Sequence, residues 1–478
     1  MKDVRKSLII TFVTFNVATV VNFLSSLVMA RLLEPSDIGL FSMTVVFVNI
    51  LHTFRDFGVT SYLLREKDLT PEKIRSASGL LICMSWSIAI VLFALAGPTA
   101  DFYGKPPVEE IMRVLSIGFL LIPFGSVTYA LLRRNMEAEK QAAVTAFTTF
   151  AYTTACISLA ALGFGYMSMA WANLVNILAT ILAYSRVRPA DQPWIPSFRG
   201  WGAIAGFGGG TVISNLVTNL NNALPDTLLG KRLDATAVGL YSRANGLVEI
   251  FTSTIMPAIN NSAVPIIAAS VHAGKPLSPD LCRTSAYLTS LAWPVLLITS
   301  LFAPDIISTL YGDKWLGCLP VVSLLCISYA IRIPFALTTN GLIALGRPYL
   351  SVFTVGSTLL IKLLVVSAMA ANSLQSFAMA FVIADFLAAP ITLIVWRSQF
   401  GVHPADFLKA HIPSLFVTLA CVIPAILLYQ MPQTWHPPWR VATVAICMPI
   451  GWLAAIFLVK HPVNHEITLL RQKIFKRA

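Results

Sequence analysis

Charge is the scarcest resource in this sequence. Of 478 residues, 12% are Asp, Glu, Lys or Arg and 56% are hydrophobic. Soluble domains carry roughly 25% charged residues, so no water-facing shell can be assembled from this chain, and much of its apolar surface must face lipid. The usual marks of catalysis are missing too. Seven cysteines form no CxxC pair and no His/Cys cluster with metal spacing, and five lie inside apolar segments, where free cysteine behaves as a small core residue. There is no Ser/His/Asp or Cys/His nucleophile arrangement and no nucleotide-binding motif, which argues against an ATP-driven pump. Gly206-Phe207-Gly208-Gly209-Gly210 follows no strand and precedes no Lys. It reads as close helix packing or a bend, not a phosphate loop. Net charge is +12, yet no basic run is interleaved with aromatics, which excludes a nucleic-acid partner. No metal or other cofactor is expected.

What the chain has in quantity is apolar segments. A membrane span needs about 20 mostly apolar residues. By that rule fourteen are predicted, at about 8–30, 38–62, 77–97, 111–132, 142–163, 168–184, 203–229, 238–266, 284–303, 320–343, 350–370, 375–396, 411–430 and 440–459. The first runs too long for a signal-peptide core and is read as a retained span. Lys and Arg are unevenly shared among the links. With the N-terminus inside, 23 of the 34 basic residues fall on the inner side and 6 on the outer. The positive-inside rule therefore places both termini in the cytoplasm.

The chain also repeats itself. NFLSSLVMARLLEPSDIGLFS (22–42) aligns without a gap on NALPDTLLGKRLDATAVGLYS (222–242) at an offset of 200. Ile122-Pro123-Phe124 recurs as Ile333-Pro334-Phe335, each after a Tyr-Gly at 103–104 and 311–312. Span 1 matches span 7, an even separation, so the copies run parallel, as in many secondary transporters. The expected fold class is an all-α polytopic membrane protein with two six-helix lobes as parallel repeats and two further C-terminal helices. The lobes are predicted at 1–190 and 201–400, the extra helices at 408–460 and a basic cytoplasmic tail at 461–478, with the Pro- and Arg-rich link 185–202 as lobe boundary.

Ionisable residues inside spans are costly and tend to face a cavity or a partner. Here they are Arg55, Asp56, Arg113, Asp226, Arg243, Glu249, Arg332, Lys362 and Asp385. Arg113 is close enough to a span end to snorkel. Lys362 and Asp385 each lie roughly 17 Å from the inner end of their spans, so adjacent antiparallel helices would pair them. Asn215, Asn219 and Asn222 form a polar stripe on span 7 that suits either a cavity wall or interhelical hydrogen bonding. Arg55 and Asp56, being consecutive, would point about 100° apart on a helix.

ARLLEPSDIGLFSM (30–43), FRDFGVTSYLLRE (54–66), TLLGKRLDATAVGLYSRA (227–244) and FAPDIISTLYGDKW (302–315) resemble the polysaccharide transporter family, the Wzx-type flippases of the MOP superfamily, which also contains MATE exporters and MurJ flippases. The likeness runs through most of residues 1–400. It implies a bacterial inner-membrane flippase for undecaprenyl-pyrophosphate-linked oligosaccharide, without enzymatic activity, working by alternating access. Its partners would be that lipid-linked substrate, the bilayer, a coupling proton or sodium ion, and the polymerase and chain-length regulator of the same pathway. The family's cationic cavity maps best onto Arg55 and Arg243, with Arg332, Asn219 and Asn222 as further candidates. Asp56, Asp226, Glu249, Lys362 and Asp385 are candidates for ion coupling or structural pairs. Two other readings stay open: a MATE-type cation-coupled drug exporter, whose cavity would favour acids, and a polytopic glycosyltransferase or polymerase, which would need a longer external loop.

Overall fold

A computed structural model describes residues 2–56, 58–190, 192–369, 371–430 and 436–464, with side chains outside the described set at 2–6, 8, 203–215 and many positions between 251 and 272. Most of the expected basic tail and the glycine-run side chains thus lie outside the described residues. In chain order the helices are α1 (Lys2–Leu32), α2 (Pro35–Arg55), α3 (Val59–Arg65), α4 (Pro71–Tyr103), α5 (Pro107–Leu121), α6 (Pro123–Arg134), α7 (Ala138–Ala161), α8 (Met167–Arg186), α9 (Gly202–Arg232), α10 (Ala235–His272), α11 (Ser278–Leu301), α12 (Ala303–Leu310), α13 (Leu319–Arg332), α14 (Thr338–Ala344), α15 (Pro348–Ala368), α16 (Leu374–Phe400), α17 (Pro404–Gln430) and α18 (Pro437–Val459). Two short 3-10 turns flank α13, and the described residues contain no strand.

The chain is a multi-pass membrane protein. Eleven segments of the described residues are long and apolar enough to cross a bilayer, or up to twelve if the bent pair α5–α6 is one span. That search covered described residues only, and both α9 and α10, of 31 and 38 residues, include side chains outside that set. Large apolar side chains such as Ile90, Phe150, Leu364 and Leu458 stand exposed, which only a lipid surround makes reasonable.

The sequence repeat reappears as repeated local structure. At the start of α2, Asp37 accepts a hydrogen bond from the Glu34 backbone N–H (3.3 Å) in a capping box. At the start of α10, Asp234 accepts from the Ala237 N–H (2.7 Å). Each carboxylate satisfies an N–H that the helix itself cannot. The repeated Ile-Pro-Phe marks a repeated break. In the first copy α5 and α6 meet at a 53° bend; in the second, Ile333–Phe335 is a 3-10 turn between α13 and α14. Proline supplies the cause, since it lacks an N–H and its ring clashes with the carbonyl four residues back.

Contacts divide the chain into two compact units, Met1–Ser242 and Arg243–Ala478. In the first, α3, α4 and α6 enclose Val59, Leu63, Leu80 and Leu131, with Trp201 packed against them. Further along α4, Leu92 and Ala96 pack with Met112 and Phe119 of α5. In the second, α17 and α18 pack on α11 and α12 around Ile298, Phe302, Val417 and Ile456. The sequence repeat divides at the 185–202 link, but the compact units divide inside α10, because α9 packs on α2.

Candidate functional site

The FRDFG run interrupts its span instead of continuing it. Arg55 ends α2, Asp56 caps it, and Gly58 sits at φ 78°, a left-handed conformation that glycine adopts without steric cost. Asp56 Oδ1 accepts from the Thr60 N–H (3.3 Å) and hydroxyl (2.6 Å), and its carbonyl accepts from the Val59 N–H (2.7 Å). The Asp56 carboxylate thereby caps α3. Arg55 is half-buried, and its buried Nε has no hydrogen-bond partner among the described residues. A guanidinium carries five donors and no acceptor, so this one is a donor in a membrane span that lacks an acceptor.

Asn219 lies beside this break in sequence only through packing: its Nδ2 donates to Thr53 Oγ1 at 2.7 Å, joining α9 to α2. Asn222 is exposed, and Asp226 is half-buried with no hydrogen bond or ion pair to the described residues. Asn215 belongs to the undescribed side chains. Thr53 and Thr60 were not singled out in the sequence. Their only signal was adjacency to Arg55 and Asp56.

In the second unit the charges fall into three groups. Lys362 Nζ and Asp385 Oδ1 are 3.6 Å apart, both residues 3% exposed. Ser328 of α13 donates a short hydrogen bond to Asp385 Oδ2, and the Lys362 ammonium lies 5.2 Å from the Phe381 ring centroid. One residue along α13, Tyr329 donates to Asn245 Oδ1 (3.2 Å), and Asn245 Nδ2 donates to Glu249 (3.1 Å). Arg332, exposed, stands over the Tyr329 ring at 5.2 Å. One helix, α13, thus reaches both sets of charges, Asp385 through Ser328 and Glu249 through Tyr329 and Asn245. Arg243 is held differently, over the rings of Tyr311 (5.9 Å) and Trp315 (5.6 Å), both buried.

Arg55 and Arg243 are therefore not counterparts. Arg55 lies 20 residues beyond the start of α2 and Arg243 eight beyond the start of α10, depths of about 30 Å and 12 Å along their helices. At the repeat offset of 200, Arg243 corresponds to Met43. Apart from those three groups, Arg440 is 3.2 Å from Asp305. Burial pushes the Asp305 carboxyl up, and the adjacent guanidinium opposes that rise.

Three comparisons bear on these residues. The succinoglycan biosynthesis transport protein ExoT of Rhizobium meliloti (strain 1021) is 25% identical over 315 residues, 65% of this chain and 63% of ExoT. The teichuronic acid biosynthesis protein TuaB of Bacillus subtilis (strain 168) is 23% identical over 319 residues, 64% of each chain. The match thus spans less than two thirds of either relative's length. Among solved structures, the lipid II flippase MurJ in an inward closed conformation superposes with a TM-score of 0.74 at 11% identity, covering 96% of this chain and 100% of that one. The fold is the MurJ fold. A model of the polysaccharide biosynthesis protein family matches residues 28–320, more than half of the chain. The chain belongs to that family.

Proposed function

We propose that the protein is a flippase, which moves undecaprenyl-pyrophosphate-linked oligosaccharide units across the bacterial inner membrane for surface polysaccharide assembly. The relatives named above serve different polymers, so the likeness supports the transport step and leaves the sugar open. A pyrophosphate with a sugar chain cannot cross about 30 Å of hydrocarbon unaided. It needs donors that replace water, and guanidinium groups fork onto phosphate oxygens. The observation that carries this reading is Arg55: a guanidinium N–H buried in a span, at a helix break, with no acceptor. Broken helices commonly line transporter sites.

The proposal includes fourteen spans, reached by adding α9 and α10 to the apolar segments, with both termini cytoplasmic and lobes at 1–190 and 201–400 that alternate access. Arg243, Arg332, Asn219 and Asn222 are the remaining cavity donors in this reading. Asp226, half-buried and without an ion pair among the described residues, is the foremost coupling acid, ahead of Asp56, Glu249 and the Lys362–Asp385 pair, for a proton or sodium ion. A polymerase and chain-length regulator would take the product.

Arg55→Ala is expected to reach the membrane at near-normal levels, because no ion pair is broken. Export should fall about ten- to a hundredfold, the equivalent of about 1.5–3 kcal/mol for a charge-assisted hydrogen bond. Lipid-linked units should build up on the cytoplasmic face, and Arg55→Lys should restore only part of the flux, since it lacks the planar fork. Arg243→Ala should instead lower accumulation, because it removes packing beneath two rings. Surface polysaccharide and membrane protein level are measured together. Normal export by a well-expressed Arg55→Ala variant would overturn the assignment.

A further inference from the structure

The link after α8 is a built strap. Arg188 donates to the carbonyls of Gln192 (2.9 Å) and Pro193, and its guanidinium lies 3.6 Å from the Trp194 ring centroid. The Gln192 side chain is buried and accepts from Thr128 of α6 at 2.9 Å. Two bonds then tie the strap along α4: Arg75 Nε donates to the Ile195 carbonyl (3.0 Å), and the Ser197 N–H donates to the Arg75 carbonyl (2.8 Å). A Cβ on Gly79 would lie 2.0 Å from the Ser197 carbonyl oxygen, so strap and helix meet backbone to backbone. The backbone is thus tied at several points, yet Trp194, Ile195 and Phe198 are 78%, 69% and 57% exposed.

Their depth follows from α4. Arg75 is the last charged residue before an uncharged run from Ser76 to Ala100. That run spans about 37 Å as helix, slightly more than a hydrocarbon core of about 30 Å. Arg75 and Gly79 therefore straddle the hydrocarbon border, and the strap crosses α4 at that level. Exposed Trp, Ile and Phe at this depth, flanked by the exposed Arg186 and Arg199, match the composition of interfacial anchors. Basic residues at a cytoplasmic membrane surface attract anionic lipid.

We propose that residues 192–201 lie within the membrane interface, with Trp194, Ile195 and Phe198 inserted between head groups and acyl chains and Arg186 and Arg199 held against anionic phospholipid head groups. The choice of the cytoplasmic leaflet rests on the orientation given under the proposed function; the depth does not.

The test uses the full-length protein in phosphatidylethanolamine–phosphatidylglycerol vesicles, with lipids brominated near the head-group end of the acyl chain as quencher and iodide as the aqueous one. Trp194→Phe keeps a ring for Arg188 to stack on. It should remove about one-tenth of the emission, one of the chain's ten tryptophans, from the lipid-quenched fraction. Phe198→Trp in that background should restore it. The proposal is overturned if Trp194→Phe leaves lipid quenching unchanged and removes an iodide-quenched fraction, since the strap would then face water and a soluble partner. An Arg186→Gln, Arg199→Gln double variant should lose enrichment of co-purified phosphatidylglycerol, read by mass spectrometry; unchanged enrichment overturns the head-group contact. Neither readout depends on transport, so a lipid-embedded strap in a protein that moves no cargo would overturn the flippase reading alone.

Discussion

A Lys362→Ala protein is expected to lose about 3–5 kcal/mol of stability, the cost of stranding one member of a buried ion pair. Asp385→Ala should lose a similar amount. The size follows from the surroundings. Both residues are 3% exposed and 3.6 Å apart, with a serine hydroxyl on the carboxylate and an aromatic ring near the ammonium. At 3% exposure an abandoned charge is shielded from solvent, so the survivor would have to change protonation or carry the unfolding cost. The charge swap Lys362→Asp, Asp385→Lys should recover much of the lost expression. Detergent-solubilised melting temperature and membrane level report both effects. A swap no better than either single variant would show that proximity, not pairing, links the two residues. The neutral pair Lys362→Met, Asp385→Leu separates structure from coupling: buried pairs are often replaceable by packed apolar residues, so a stable variant that still exports would make the pair structural, and one that is stable but inactive would give it a part in ion coupling.

Cysteines at positions 42 and 242 are expected to cross-link on mild oxidation and to abolish export until a reductant is added. Ser42 and Ser242 are themselves repeat partners, and their hydroxyls are 3.3 Å apart. Disulfide geometry demands Cβ atoms about 3.5–4.5 Å apart, which touching serine hydroxyls allow. One turn away the backbones meet with no room for a methyl group: a Cβ on Gly39 would lie 1.7 Å from the Ala235 carbonyl oxygen, and one on Gly239 would lie 1.8 Å from that of Pro35. If the two copies rock to alternate access, this crossing must part, and a covalent bond there would hold it shut. Each single-cysteine variant is the control, because native Cys447 is exposed. Undiminished export by a fully cross-linked protein would take the α2–α10 crossing out of the transport cycle.

Periodic and local features were legible in the sequence. The offset of 200 led to matched helix caps at Glu34 and Asp234, and the twin Ile-Pro-Phe runs became twin breaks, because capping and proline geometry act within a few residues. Equal depth alone brought Lys362 to Asp385, since antiparallel neighbours in a bilayer share a coordinate. What needed coordinates was any contact set by packing at long range. Asp56 looked like a free intramembrane acid because the break at Gly58 lies within an uninterrupted apolar pattern. Arg243 looked like a mate for Arg55 because both are basic and lie in equivalent spans. Its rings come from Tyr311 and Trp315, about seventy residues on, and it stands at a different depth. The link at 185–202 marks where the chain leaves the bilayer, but α9 packs on α2, with Gly230 fitted against Met43 and Tyr103 and Asn219 bonded to Thr53. No composition shift announces that attachment.

The attachment of α9 to α2 also imposes a delay. About 150 residues separate the end of α2 from the start of α9, so a ribosome adding 5–20 residues per second needs roughly 10–30 s to supply the partner. Throughout that interval one side of α2 waits in the bilayer without its neighbour. The side chains that wait for α9 include Met43 and Thr53, both uncharged, which lipid accepts at little cost. Arg55 and Asp56 come at the far end of the helix, so the newborn chain holds these charges close to where the span breaks.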